Sequence, residues 1–261
     1  MPPPVHLTPM SGPRAAIADI AQVARELPLF PVDRVLRLAA VTDARAAAVP
    51  RIGWAALFLK AYGVVARDMP ALRTWVVRGA RPGLATAAES VATLAVNRRD
   101  GDMDRLCFGR LHRPDVVPLA TIQRFVEDCQ TRDVDEMFKR QLELEMLPGW
   151  LRRGILRWNL HSASPKRPGR LGTFSLSTLA GFQAFNRFHP TLCTTSLAYG
   201  PLEPDGRCLV TVIADHRVLD GATVAAALIR LEQVLTTTIA GELTATRDPA
   251  ADPAPRPGAA A

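Results

Sequence analysis

A mixed α/β (α+β) domain, with a sheet flanked by helices, is the class this sequence predicts. Three observations point there. Apolar segments of helical period, such as Ile52 to Arg67, are interspersed with strand-like runs such as "SVATLAVNRR" and "CLVTVIA". The two kinds mix without strict alternation, so an all-parallel sheet is not implied. At 261 residues the chain is long enough for one large domain or two small ones and for a sizeable core, and it shows no internal repeat.

The elements follow in order. Pro13 to Leu27 reads as a helix, because proline suits a first turn and Ile17, Ile20, Ala24 and Leu27 share a face. "VDRVLRL" alternates like a strand, and Ile52 to Arg67 is a strongly apolar helix ending before Pro70. "RTWVV", "SVATLAVNRR" and "DRLCFGRL" read as three strands, with the tight "DGD" link making a hairpin of the last two. Pro118 to Arg132 and Val134 to Leu147 are helical until Pro148-Gly149 breaks them. In "WLRRGILRWNL", Trp150, Leu151, Ile155 and Trp158 fall on one side, with Arg152, Arg153 and Arg157 largely on the other. "SASPKRPGR" is a basic loop, and "GTFSLST", "LCTTSLAYG" and "CLVTVIA" are strands. Gly221 to about Ile239 closes the fold as a helix, its inner face carrying Val224, Leu228, Leu231 and Leu235.

These readings divide the chain into a flexible start (1–12), one catalytic-type domain (13–240) with a basic amphipathic insertion (134–170), and a low-complexity, disordered tail (241–261). No run of about 18 uncharged apolar residues predicts a spanning helix. The amino end has no apolar signal-peptide core. Four cysteines form no CxxC pair and no metal-ligand spacing, and with the five scattered histidines they predict no metal site and a reduced cytoplasmic protein. "DGDMDR" fails as a calcium loop because Arg105 stands where glycine is needed. No GxSxG elbow or phosphate-cradling glycine loop appears.

The net charge of +7 is unevenly placed. Met146 to Leu202 holds no Asp or Glu but seven basic residues: Arg152, Arg153, Arg157, Lys166, Arg167, Arg170 and Arg187. Such a field attracts phosphates, acidic proteins or anionic membrane. Nucleic acid ranks low, since stacking motifs are not interleaved with the cations.

The densest chemistry lies in "LVTVIADHRVLDGATVAAALIRLEQVL", where an apolar strand meets an alanine-rich helix at "ADHRVLDG". Taken alone, an Asp before a Gly starts a helix by capping free amides, and a lone histidine at a strand end is more often structural than catalytic. A second motif changes the balance. "DHRVLDGA" resembles the HxxxDG signature of the dihydrolipoyl acyltransferases of 2-oxo acid dehydrogenase complexes and of chloramphenicol acetyltransferase. About forty residues upstream "GTFSLSTLAG" is similar to the same family's "GTFTISNLG". Weaker similarity runs through "LTPMSGPRAAIADIA", "LFLKAYGVVARDMPALR" and "ATLAVNRRDGD".

The resemblance implies a chloramphenicol acetyltransferase-like fold, a homotrimer with active sites at subunit interfaces, and acyl transfer from a thioester. His216 would be the general base, and Ser177 the donor stabilising the oxyanion. Asp220 would hold the site through a buried arginine salt bridge, with Arg14 of the first helix as partner, and Gly221 would let the helix begin hard against the strand. Coenzyme A thioester or acyl carrier protein is the donor implied, with no permanently bound cofactor. Arg152, Arg153, Lys166, Arg167 and Arg170 are candidates for binding it. Residues 148–160 could instead touch a membrane surface, or simply pack on the body through Trp150, Ile155 and Trp158.

Departures from the family pattern are equally plain. No lipoyl or subunit-binding region precedes the first helix, so the expectation is a stand-alone enzyme. Thr178 stands where the family has asparagine, and "HPTLCTTSLAYG" lacks the proline-rich "PIINPPQ" character. Two alternatives stay open: a non-catalytic scaffold or binding subunit of the same fold, and a condensation-type domain. The latter usually has two adjacent histidines, whereas Asp215 precedes His216 here.

Overall fold

The computed structural model describes residues 5–245 apart from Arg81 and Asp102. The apolar patterning becomes α1 (Gly12–Ala24), β1 (Leu29–Arg37), α2 (Ala39–Ala47), α3 (Trp54–Asp68), β2 (Thr74–Val77) and β3 (Gly83–Thr86). The hairpin β4 (Val91–Asp100) and β5 (Met103–His112) precedes α4 (Leu119–Thr131), α5 (Val134–Met137), α6 (Lys139–Glu145), α7 (Gly149–His161) and α8 (Arg167–Leu171). The chain then forms β6 (Phe174–Leu176), β7 (Thr195–Leu202), β8 (Arg207–Asp215), α9 (Gly221–Val234) and α10 (Ala240–Ala245).

Six strands form a mixed sheet in the order β1-β8-β7-β6-β4-β5, while β2 and β3 pair separately. Strand β6 runs parallel to both β4 and β7, and the remaining ladders are antiparallel. One face packs on α3, α4 and α9, the buried Leu57, Phe58 and Tyr62 meeting Leu176, Leu197 and Val212. Tyr62 reaches the sheet with its hydroxyl, donating to Thr195 Oγ1 at 3.0 Å, so its polar tip is satisfied in the core. The opposite face is polar in its middle, where Ser175 of β6 faces Ser196 of β7.

Several expectations are corrected. Residues 241–245 are not tail: α10 buries Leu243 completely, and Glu242 pairs with the buried Lys60 of α3 at 2.6 Å. The expected tail from residue 246, and residues 1–4 of the expected flexible start, lie outside the described residues. Gly221 to Ala245 forms one helical run, with a π segment at Leu235–Ile239, long and apolar enough to cross a membrane by length and composition. Its inner face of Leu228, Leu231, Leu235, Ile239 and Leu243 is core. The helix expected over Val134 to Leu147 breaks at Phe138, whose ring is buried instead of continuing the solvent face.

Helix α7 does not pack on the body through its tryptophans, one of the two arrangements its pattern allowed. Trp150 and Trp158 are 70% and 57% exposed, while Arg152, Leu156, Asn159 and Leu160 are buried. Leu156 and Leu160 join Val23, Ala24, Leu27, Leu171 and Leu192 in a second, smaller core beside α1. An arginine takes the inward position because α1 supplies its counter-charge. Arg152 Nε meets Asp19 Oδ2 at 2.6 Å, and Arg153 meets Asp19 Oδ1 at 2.7 Å.

Candidate active site

Strand β8 ends at Asp215, and the next five residues make a tight turn into α9. The carbonyl of Asp215 accepts from the amides of Val218 and Leu219, at 3.0 Å each. Its buried carboxylate accepts from Arg217 Nε (2.9 Å), Nη2 (2.7 Å) and backbone amide (3.0 Å). That pairing fixes the turn from within and leaves the intervening side chain, His216, facing out.

His216 is exposed but held. Its backbone amide donates to the Pro28 carbonyl at 3.1 Å, and its ring packs on Phe30 with centroids 4.6 Å apart. Ring atom Nδ1 lies 3.1 Å from the Leu219 carbonyl oxygen. A carbonyl only accepts, so the bond assigns a proton to Nδ1, and the neutral form of the ring has its lone pair on Nε2. The arrangement suits a base whose tautomer is set by its own turn.

Asp220 caps α9. Its Oδ1 accepts from the amide and the hydroxyl of Thr223, both at 2.9 Å. Those bonds hold the carboxyl below its usual range, with the nearby His216 a lesser contributor. This is a correction: Asp220 is exposed, and among the described residues no buried arginine meets it. Arg14 is also exposed, on α1, and makes no ion pair among the described residues. The acid of α1 that is paired internally is Asp19, which the motif comparison passed over. The steric reason for Gly221 does not hold within the protomer either, because a Cβ there would meet nothing within 4 Å.

Ser177 lies one residue past β6, its amide donating to the Leu197 carbonyl at 3.0 Å. The side chain is half-buried, and its hydroxyl has no partner among the described residues. Thr178, at the family's asparagine position, anchors the following loop by donating to the Tyr199 carbonyl (2.8 Å) and accepting from the Ala180 amide (3.1 Å). Beyond it, Leu179, Phe182 and Phe188 are exposed at 40%, 78% and 53%.

Sheet register separates serine and histidine. Ser177 follows Leu176, which is level with Leu197, whereas His216 follows Asp215, whose amide bonds Thr194. The two are therefore roughly five residue steps apart along the strands, on the order of 17 Å, with β7 between them. One protomer does not bring them together.

The five cations proposed for donor binding are mostly engaged. Arg152 and Arg153 grip Asp19, and Arg170 bonds Asn159 Oδ1 at 3.0 Å while lying 5.1 Å from the Trp158 ring centroid. Arg167 is 1% exposed and stacks on Trp75. Lys166 alone of the five is exposed with no side-chain partner among the described residues. The wider basic field is cancelled in the same way, Arg157 by Glu26 and Arg187 by Asp33.

Sequence reasoning missed a polar chain on the sheet face that carries Ser177. His189 Nε2 lies 2.7 Å from Ser196 Oγ, which accepts from Ser175 Oγ at 2.7 Å. Burial pushes the His189 imidazole down to about 4, so it stays neutral at ordinary pH. The "HP" dipeptide carried no signal for this, although Ser175 and Ser177 share a strand face by their spacing.

No family model and no curated protein matches this chain. Solved structures do. The truncated catalytic core of the 2-oxoacid dehydrogenase multienzyme complex from Thermoplasma acidophilum is 16% identical, with a TM-score of 0.65 over 89% of this chain and 99% of that one. The dihydrolipoamide acetyltransferase of Azotobacter vinelandii, in which a serine, a histidine and an asparagine are studied for their roles in catalysis, is 16% identical. It has a TM-score of 0.63 and covers 92% and 94% of the two chains. The cubic core of a pyruvate dehydrogenase multienzyme complex gives 16%, 0.61, and the same coverage. The chain thus has the fold of a dihydrolipoamide acetyltransferase catalytic core.

Proposed function

We propose that this protein is an acyltransferase that moves an acyl group from a coenzyme A or carrier-protein thioester to a thiol, hydroxyl or amine. His216 Nε2 accepts the acceptor's proton as its heteroatom attacks the thioester carbonyl. The Ser177 hydroxyl donates to the oxyanion that forms, and collapse expels the thiolate, which takes up a proton. The observation that carries this reading is the His216 Nδ1–Leu219 carbonyl bond, which supports a lone pair on an exposed Nε2. A scaffold of the same fold has no need of that constraint.

The active site is shared between protomers of a homotrimer. Two observations favour it: the register that parts Ser177 from His216, and the apolar Leu179, Phe182 and Phe188 in the segment that follows Ser177, whose exposure is costly unless a neighbour covers them. A core with cubic symmetry, as in the pyruvate dehydrogenase relative, is built on threefold axes. The test is complementation. His216→Ala and Ser177→Ala proteins, each inactive in thioester turnover alone, are co-assembled; random mixing leaves about a quarter of interfaces with both wild-type residues. Recovered turnover supports a shared site, and none at all removes it.

The exposed tryptophans of α7 favour a second role, contact of 148–160 with a membrane surface, where indole rings sit well. Flotation with anionic vesicles should retain the protein, and Trp150→Ala/Trp158→Ala should release it. Absence of wild-type binding dismisses the contact.

A further inference from the structure

A strand at the edge of a sheet turns one row of backbone N–H and C=O groups outward, and proteins guard such rows against stray pairing. In β1 the outward row falls on odd-numbered residues, since Leu38 N bonds the Gly206 carbonyl and His216 N the Pro28 carbonyl on the inner side. Pro31 in that row has no N–H, and Arg37 N is taken by Glu232 Oε1 at 2.8 Å. In β5 the outward row is even-numbered, because Arg113 N bonds the Ser90 carbonyl inside. Gln141 covers it like a short strand. Its Oε1 accepts from Phe108 N at 3.0 Å, and its Nε2 donates to the Leu106 carbonyl at 2.9 Å. Both edges of the large sheet are guarded.

The β2–β3 pair has one edge that is not. Ala87 N bonds the Arg73 carbonyl at 3.1 Å, so the register turns Gly83 and Ala85 of β3 toward β2 and leaves the backbone groups of Leu84 and Thr86 facing out. The matching outer row of β2 is spent on the body. The Thr74 carbonyl accepts from Thr194 Oγ1 at 2.6 Å, and Arg78 N, just past the strand, donates to the His161 carbonyl at 3.2 Å. On β3 the outward backbone groups of Leu84 and Thr86 have no partner among the described residues, and both residues are exposed. The strand is Gly-Leu-Ala-Thr, with no charge and no proline to deter a partner.

We propose that this edge pairs with the same edge of a second copy of the chain, antiparallel about a twofold axis at Ala85. The open groups stand one on each side of Ala85, so that axis sets Leu84 of each copy level with Thr86 of the other. Each such pair can exchange both backbone bonds. Moving the axis to Leu84 would set Thr86 against Pro82, which has no N–H, and moving it to Thr86 would set Leu84 against Ala88, beyond the strand. At Ala85 itself the two chains come within about 4.5 Å, Cα to Cα, a spacing that two methyl groups fill without a clash of like charges. Leu84 gains cover in the same contact. The pairing depends on neither the acyl-transfer reading nor the trimer; added to a threefold assembly, it would join trimers.

Disulfide cross-linking of the full chain tests it. Ala85→Cys, mildly oxidised with copper phenanthroline, should give a covalent dimer on a non-reducing gel, since the expected spacing suits a disulfide. The native Cys107, Cys129, Cys193 and Cys208 are buried and stay out of the reaction. Gly83→Cys is the control. A Cβ there meets nothing within 4 Å, but Gly83 would lie on the order of 14 Å from its copy, so its cross-linking should be about tenfold slower or more. Adding Leu84→Pro to Ala85→Cys deletes an outward N–H and spares the bonds to β2, and should slow cross-linking about tenfold. Should circular dichroism show that proline disturbs the hairpin, Leu84→Lys, which brings like charges together across the axis, takes its place. No covalent dimer from Ala85→Cys overturns the proposal, as do equal rates at positions 83 and 85 or an unchanged rate in the folded double variant.

Discussion

The turn at 215–221 and helix α7 are both crowded with charge, yet they solve the problem of placing it in opposite ways. In the turn the polar side chains find their hydrogen-bond partners within four residues: Arg217 on Asp215, His216 on the Leu219 carbonyl, Asp220 on Thr223. In α7 the partners lie far off in sequence, Arg152 and Arg153 on Asp19, Arg157 on Glu26. A local solution carries its geometry in its spacing and can leave a side chain exposed and oriented. A long-range solution spends its charges on holding two elements together, and little of the basic field remains for a ligand.

Mutations can break or sharpen this contrast. The largest effect is expected at the turn: His216→Ala should lower thioester turnover by about 10²–10⁴-fold. Its melting temperature should stay near wild type, because the ring is exposed. Equal turnover in the variant would end the role proposed for His216.

At α7 the effect should be on stability. Asp19→Ala strands the buried Arg152 and should cost about 3–5 kcal/mol in urea unfolding, the range for a broken buried pair. Burial alone would push the Asp19 carboxyl up, but the bonds from Arg153 and Arg152 together outweigh it and hold it below the usual range. A depressed folded value means its stabilisation is complete above the unfolded pKa of about 3.9 and lost as pH falls through the folded one. Unfolding followed from pH 6 to pH 2 should show that loss in wild type and a shallower one in Asp19→Asn.

A milder pH effect belongs to His189, whose folded value of about 4 lies below its unfolded value near ~6.5. The unfolded chain binds the proton first, so stability should fall as pH drops from about 6.5 to 4. His189→Gln, still able to bond Ser196, should flatten that part of the profile. The smallest change is expected from Asp220→Asn. Asparagine also caps helices, and among the described residues no arginine pairs with Asp220, so the melting temperature should barely move. A large drop would show that a neighbouring protomer supplies the missing partner.

Much of this was legible from residue order. The mixed fold class, the β4–β5 hairpin, the inner face of α9 and the places of His216 and Ser177 at strand ends all follow from local periodicity and spacing. Backbone hydrogen bonding and side-chain alternation act over a few residues, so the sequence itself records them. The orientation of α7 was not recorded there. Its tryptophans fitted either packing on the body or facing outward, and Asp19 on α1 with the leucines of the second core decided for the outward face. Nor could spacing show that Ser177 and His216 lie at opposite ends of the sheet, since strand order and register set that distance. Tertiary structure alone decided these points, because burying a charge depends on which distant element arrives with its opposite.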